Sequence, residues 1–161
     1  MMGSSKNYFV FDLDGTLLDS MTTWPRAMIR IMDEAGLEYP DDVVNIMTPI
    51  GFNGCADYFI SLHANAATVA AASGSEGFAF SRPSAAFSLG ESILREMTTI
   101  TGLRNRGMFV RTGLYVLRKT TMPAILLELG FITNPGDAFL MRDNPGLFAE
   151  GIYRGIVDYL G

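Results

Sequence analysis

Reactive side chains stand at the ends of apolar runs in this chain, where a fold can present them at a surface. Tyr8-Phe9-Val10-Phe11 leads into Asp12-Leu13-Asp14-Gly15-Thr16. Two carboxylates two residues apart at a strand end offer oxygen donors to a hard cation such as Mg²⁺. Phe59-Ile60-Ser61-Leu62 leads to His63, the only histidine in the sequence, and imidazole is a metal ligand or a proton carrier near neutral pH. Ala124-Ile125-Leu126-Leu127 leads to Glu128. An acid ending such a run is costly to bury without a partner, which makes Glu128 a candidate for acid-base work. Cys55 is the only cysteine. It excludes an internal disulfide and a cysteine-rich zinc cluster, and with no histidine nearby it reads as a plain thiol.

The elements needed to position these groups follow from pattern. Residues 7–12 read as a buried strand and 22–35 as an amphipathic helix stopped by Gly36. A short helix follows over 41–47, then a loop over 49–54. Residues 57–62 read as a strand ending at His63, 67–75 as a flexible surface loop, and 75–81 as a strand with Phe78 and Phe80 on one side. The spacing of Phe87, Ile93, Leu94, Met97 and Ile100 predicts a helix over 84–101. Tyr115 to Leu117 reads as a short strand and Ala124 to Leu129 as a buried one. Asn134-Pro135 and Asn144-Pro145 each read as an N-cap followed by proline at the first helical position. The last helix carries Phe148, Ile152, Ile156 and Leu160 on one stripe. Gly151 and Gly155, four apart, allow close approach of a neighbour, and with the apolar content they favour self-association. Alternating strands and helices predict an α/β chain with a mostly parallel sheet flanked by helices.

Residues 8–58 resemble the opening of a haloacid-dehalogenase-like phosphatase, on Phe9-Val10-Phe11-Asp12-Leu13-Asp14-Gly15-Thr16-Leu17-Leu18-Asp19-Ser20. The resemblance implies that Asp12 attacks a phosphoryl group to form an aspartyl-phosphate. Asp14 would then serve as acid and base, with both holding Mg²⁺. It also implies a cap beginning over residues 22–56. The family's phosphate-binding Ser/Thr, its Lys and its further acidic pair come from later strands, which this chain replaces. Lys119 is an available cation that no motif places. The competing reading is that Asp12 and Asp14 are turn-forming residues at a strand end.

Residues 57–161 resemble the C-terminal part of a zinc-dependent N-acetylmuramoyl-L-alanine amidase. The resemblance rests on an ordered string: Ser61-Leu62-His63-Ala64-Asn65, Gly74-Ser75-Glu76-Gly77-Phe78, Gly102-Leu103-Arg104-Asn105-Arg106-Gly107, Leu114-Tyr115-Val116-Leu117-Arg118 and Glu128-Leu129-Gly130-Phe131-Ile132-Thr133-Asn134. It implies hydrolysis of the amide between muramic acid and L-alanine, with peptidoglycan or muropeptides as substrate. It assigns His63 to zinc and Glu128 to the proton of the attacking water and the leaving amine. Glu76 is a further candidate. The family takes its other zinc ligands, a histidine and a glutamate, from segments replaced here. One histidine cannot build a His-Glu-His set, and Asp12 or Asp14 would have to supply oxygen donors instead.

No Gly/Pro/Ser spacer separates the two resemblances. The expected organisation is therefore a leader over 1–6, a phosphatase-like fragment over 7–58 and an amidase-like fragment over 59–161. These would pack as one α/β unit that is incomplete relative to either parent, a chimera joined near 57–61. A recombined, inactive α/β protein is the third expectation. At 161 residues and 48% hydrophobic, the chain can bury one core. Its net charge of −5 argues against nucleic acid or an anionic membrane as main partner, and no apolar run is long enough to span a bilayer. The N-terminus does not read as a signal peptide. That predicts a cytoplasmic chain as written, or a cell-wall or periplasmic one if exported like the amidases.

Overall fold

A computed structural model describes residues 9–13 and 57–161. The predicted helices over 22–35 and 41–47, the loop over 49–54, Asp14 and Cys55 lie outside the described residues. The strands are β1 (Phe9–Leu13), β2 (Tyr58–Asn65), β3 (Ser75–Ala79), β4 (Asn105–Val110) and β5 (Ala124–Phe131). The helices are α1 (Ala85–Thr101), α2 (Tyr115–Lys119), α3 (Pro135–Asp143) and α4 (Pro145–Leu160). The sheet order is β1-β2-β5-β3-β4. Neighbours run parallel except β3 and β5, which are antiparallel. The mostly parallel α/β architecture expected from the alternation of elements is the one found.

Side chains alternate across a strand, so each face of the sheet collects every second residue. One face carries Ile60, Ala79, Ile125 and Leu127, packed against Leu89, Ile93, Leu94 and Met97 of α1 and Phe148 and Ile152 of α4. The other carries Phe59, Phe78, Ala124 and Leu126, with Leu117 of α2 and Met122 over them. Ser84 caps α1, its hydroxyl accepting from the Phe87 N–H at 3.1 Å, and Gly102 closes it at φ 72°. Such a left-handed closing position favours glycine.

Gly151 and Gly155 are both buried on α4. A methyl group on Gly151 would collide with Met97 Cα, and one on Gly155 with Ile93 Cα. The close approach expected of these glycines is thus made inside the chain, between α4 and α1. Asn134 caps α3, accepting from the N–H groups of Gly136 and Asp137. Asn144 stands at the N-cap of α4 without a side-chain capping bond.

Several expectations are corrected. Residues 115–117 form the first part of helix α2, not a strand. Both edges of β5 are already taken by β2 and β3, so a strand at 115–117 would have no partner there. A helical turn buries Leu117 and leaves Tyr115 outside. Strand β4 lies outside the elements that pattern predicts: it is an edge strand whose segment Asn105-Arg106-Gly107 lacks strand-favouring residues. β3 ends at Ala79, so Phe78 is buried while Phe80 is 44% exposed. Leu160 also faces solvent. The 67–75 segment is tied down: the Ala67 N–H donates to Thr133 Oγ1 at 3.1 Å and Asn134 Nδ2 donates to the Ala70 carbonyl at 2.8 Å.

Candidate active site

The register across three adjacent strands builds the site. His63 of β2 is the register partner of Glu128 of β5, and Glu128 is the partner of Glu76 of β3. Register partners stand on the same face of a sheet, so the three form one row. The row lies on the face away from α1 and α4. The β2–β5 pairing shifts between His63 and Asn65, an irregularity of the kind that re-aims side chains at functional strand ends.

Each member of the row is held differently. His63 Nε2 lies 2.8 Å from the hydroxyl of Ser61, two residues back on the same strand. The direction of that bond follows the tautomer. Glu76 is occupied at both oxygens: Asn65 Nδ2 donates to one at 2.8 Å and Arg106 Nε to the other at 2.7 Å. Arg106 also lies over the Phe131 ring, 5.0 Å from its centroid. In Glu128, by contrast, Oε2 is buried with no hydrogen-bond partner among the described residues. Burial first, and then the nearby Glu76 charge, push the Glu128 carboxyl up from its ordinary 4.5 to about 7. A carboxyl near 7 with a free oxygen is suited to take and return a proton at neutral pH.

A catalytic zinc takes three protein ligands and leaves one position open. The row supplies a single imidazole, and Glu76 has both oxygens engaged. Among the described residues, no group of three His, Cys, Asp or Glu side chains could hold a metal ion. The described residues therefore do not complete a zinc set. Asp12 lies within β1 as the register partner of Ser61. Asp14 lies outside the described residues, and with it one half of the carboxylate pair expected to hold magnesium. Lys119 ends α2 on the surface.

Sequence reasoning passed over Asp137. Its carboxylate is 1% exposed and accepts three hydrogen bonds: from the Ser73 hydroxyl at 2.6 Å, the Gly74 N–H at 3.0 Å and the Phe131 N–H at 2.9 Å. It clamps the start of β3 to the end of β5 and so holds Glu76 beside Glu128. In the sequence it looks like an ordinary acid in the first turn of a capped helix, which hides the role. Ser61 and Asn65, the supports of His63 and Glu76, were visible only as part of a motif around the histidine.

The family model described as N-acetylmuramoyl-L-alanine amidase matches residues 43–158, beginning upstream of the junction expected near 57–61. An uncharacterized cell wall amidase of Bacillus anthracis is 38% identical over 64% of this chain and 21% of its own length. The N-acetylmuramoyl-L-alanine amidase LytC of Bacillus subtilis is 37% identical over 65% of this chain and 22% of its own length. This chain thus spans about a fifth of those relatives. Among solved structures, the catalytic domain of CwlV, an amidase of Bacillus (Paenibacillus) polymyxa, aligns with a TM-score of 0.65 at 27% identity, over 96% of this chain and 98% of that domain. The CwlD amidase of Clostridioides difficile, solved in complex with the GerS lipoprotein, aligns with a TM-score of 0.64 at 28% identity, over 73% of this chain and 61% of that one. Nothing in these comparisons supports a phosphatase-like segment over 8–58 or a chimera.

Proposed function

We propose a function on one premise: this chain belongs to the N-acetylmuramoyl-L-alanine amidase family. Its chemistry is hydrolysis of the amide between N-acetylmuramic acid and L-alanine, with peptidoglycan or its muropeptides as substrate. The place of action is then the cell wall or periplasm, where that substrate lies. Among the described residues no helix is long and apolar enough to cross a membrane.

The observation that carries this reading is Glu128, a carboxyl at about 7 with one buried, unpartnered oxygen, in register beside His63. Ionised Glu128 takes the proton of the attacking water and returns it to the leaving amine of L-alanine. Ser61 fixes the His63 ring, and the Asn65 and Arg106 bonds keep Glu76 turned to its own partners and leave Glu128 free.

Zinc dependence rests on the family resemblance. His63 is the zinc ligand the resemblance assigns among the described residues, and Asp12 or Asp14 would have to supply the rest. Metal analysis of the purified chain beside His63→Ala tests it directly: a stoichiometric zinc content lost in the variant supports it, and no zinc in either removes it. The activity is tested by release of muropeptides from peptidoglycan. Equal rates for the wild type and Glu128→Gln would remove the amidase mechanism.

A further inference from the structure

A second group beside the row remains unused by this mechanism. Between Glu96 and Glu128 the chain carries Arg104, Arg106, Arg111, Arg118 and Lys119 and no Asp or Glu, in a protein of net charge −5. Arg106 is taken by Glu76. Arg111 is not: among the described residues its guanidinium makes no ion pair or hydrogen bond and lies over the ring of Phe78, 5.5 Å from the centroid. Its backbone is fixed, the N–H donating to the Ala79 carbonyl at 2.9 Å.

The placement of that ring matters. Phe78 is the register partner of Leu126, and both stand two residues along their strands from the Glu76–Glu128 pair, on the same face. Two strand residues span about 7 Å. Phe78, with the exposed Arg111 over it, thus stands about two residues of extended peptide, about 7 Å, from the proposed reaction centre. Phe109, in register with Phe78 and 44% exposed, forms an apolar wall beside it.

We propose that Arg111, seated on Phe78, binds a free carboxylate of the stem peptide on the L-alanine side of the scissile amide. This rests on the amidase reading of the row. The chemistry leaves one side of the substrate to consider: the lactyl carboxyl of muramic acid is consumed in the amide, so the free carboxylates lie on the peptide. A guanidinium offers a planar fork matched to a carboxylate, and a ring beneath it holds the fork in place before binding. The site therefore selects an anionic stem peptide over one whose carboxylate is amidated.

The test is calorimetric binding of N-acetylmuramoyl-L-alanyl-D-glutamate γ-methylamide, whose single carboxylate is the α one, and of the same ligand with that carboxylate amidated. It uses the full chain, with Glu128→Gln present to prevent turnover. An exposed ion pair of this kind leads us to expect the acid to bind about fivefold tighter than the amide. Arg111→Met should abolish the difference with an unchanged thermal transition, and Arg118→Met should keep it. Equal binding of acid and amide, or a preference that survives Arg111→Met, overturns the subsite and leaves the amidase reading standing. A preference lost equally in Arg118→Met also overturns it, since a general positive field would then suffice. Failure of both ligands to bind overturns the amidase reading and the subsite together.

Discussion

The two faces of one sheet differ in what they leave unsatisfied. The face under α1 and α4 is closed: Ile60, Leu89, Ile93, Met97, Ile125 and Leu127 are all at 0% exposure, and α4 meets α1 through two glycines where no side chain fits. Among the described residues, the opposite face is covered in part by the short α2, with Leu117 over Phe78 and Leu126. At its upper end it holds a histidine, two glutamates and a buried oxygen with no partner among the described residues. Leu127 and Glu128 are consecutive on β5, yet one is sealed in the core and the other belongs to the proposed site. The packed face supplies stability, which the polar face draws on to hold an unpaired acid at about 7. Sites of this kind are strained locally and supported elsewhere.

That contrast can be broken from either side. The largest effect should come from Glu128→Gln, with muropeptide release falling about a hundred- to ten-thousand-fold while the fold is kept. Peptidoglycan release beside circular dichroism reads both. On the packed face, Gly155→Ala should cost about 3 kcal/mol of stability, because the new methyl meets the backbone of Ile93. Urea unfolding measures it, and an unchanged midpoint would mean the helices are not so tightly apposed. Asp137→Ala should cost about 2 kcal/mol, leaving the N–H groups of Gly74 and Phe131 unpaired in a buried site. It should also lower activity through the loosened Glu76–Glu128 pairing.

Two pH effects sharpen the comparison further. The folded chain binds the Glu128 proton up to about 7 and the unfolded chain only to about 4.5. The folded state therefore holds more protons in that window. The contribution to stability is fully present below about 4.5 and is lost as pH rises through about 7. Glu128→Gln should flatten this slope, read from unfolding midpoints across the window, and a slope that persists would place its origin elsewhere. The smallest effect is expected from Glu76→Gln. It removes the like charge beside Glu128 and should move the acid limb of the activity profile to lower pH by less than about one unit. A shift to higher pH would show that Glu76 does not act on Glu128 by its charge.

Much of this was legible from local pattern, and what was missed has a common cause. The α1 helix, the buried strand to Glu128 and the α3 cap rest on periodicity, a serine or asparagine cap and a glycine stop. Those signals sit within a few residues of one another and are read without knowing the fold. The α2 segment and β4 are misread because the deciding contacts lie elsewhere in the chain: a short β-favouring run turns helical where that buries Leu117, and a segment poor in strand-favouring residues extends where β3 offers it an edge. That is a property of the assembled sheet. Asp137 was missed for the same reason: its three donors come from residues 73, 74 and 131, and only Phe131 is near it in sequence.

By itself the sequence determined which residues could do chemistry and which face each strand residue takes, because side-chain alternation is a property of the extended backbone. It determined too that His63 and Glu128 end apolar runs. The tertiary structure alone decided that β3 runs antiparallel beside β5. That pairing sets Glu76 against Glu128 across 52 residues of chain and carries Phe78 and Arg111 to the same face. Register between distant strands is chosen by the burial of whole faces at once. No single segment contains that information.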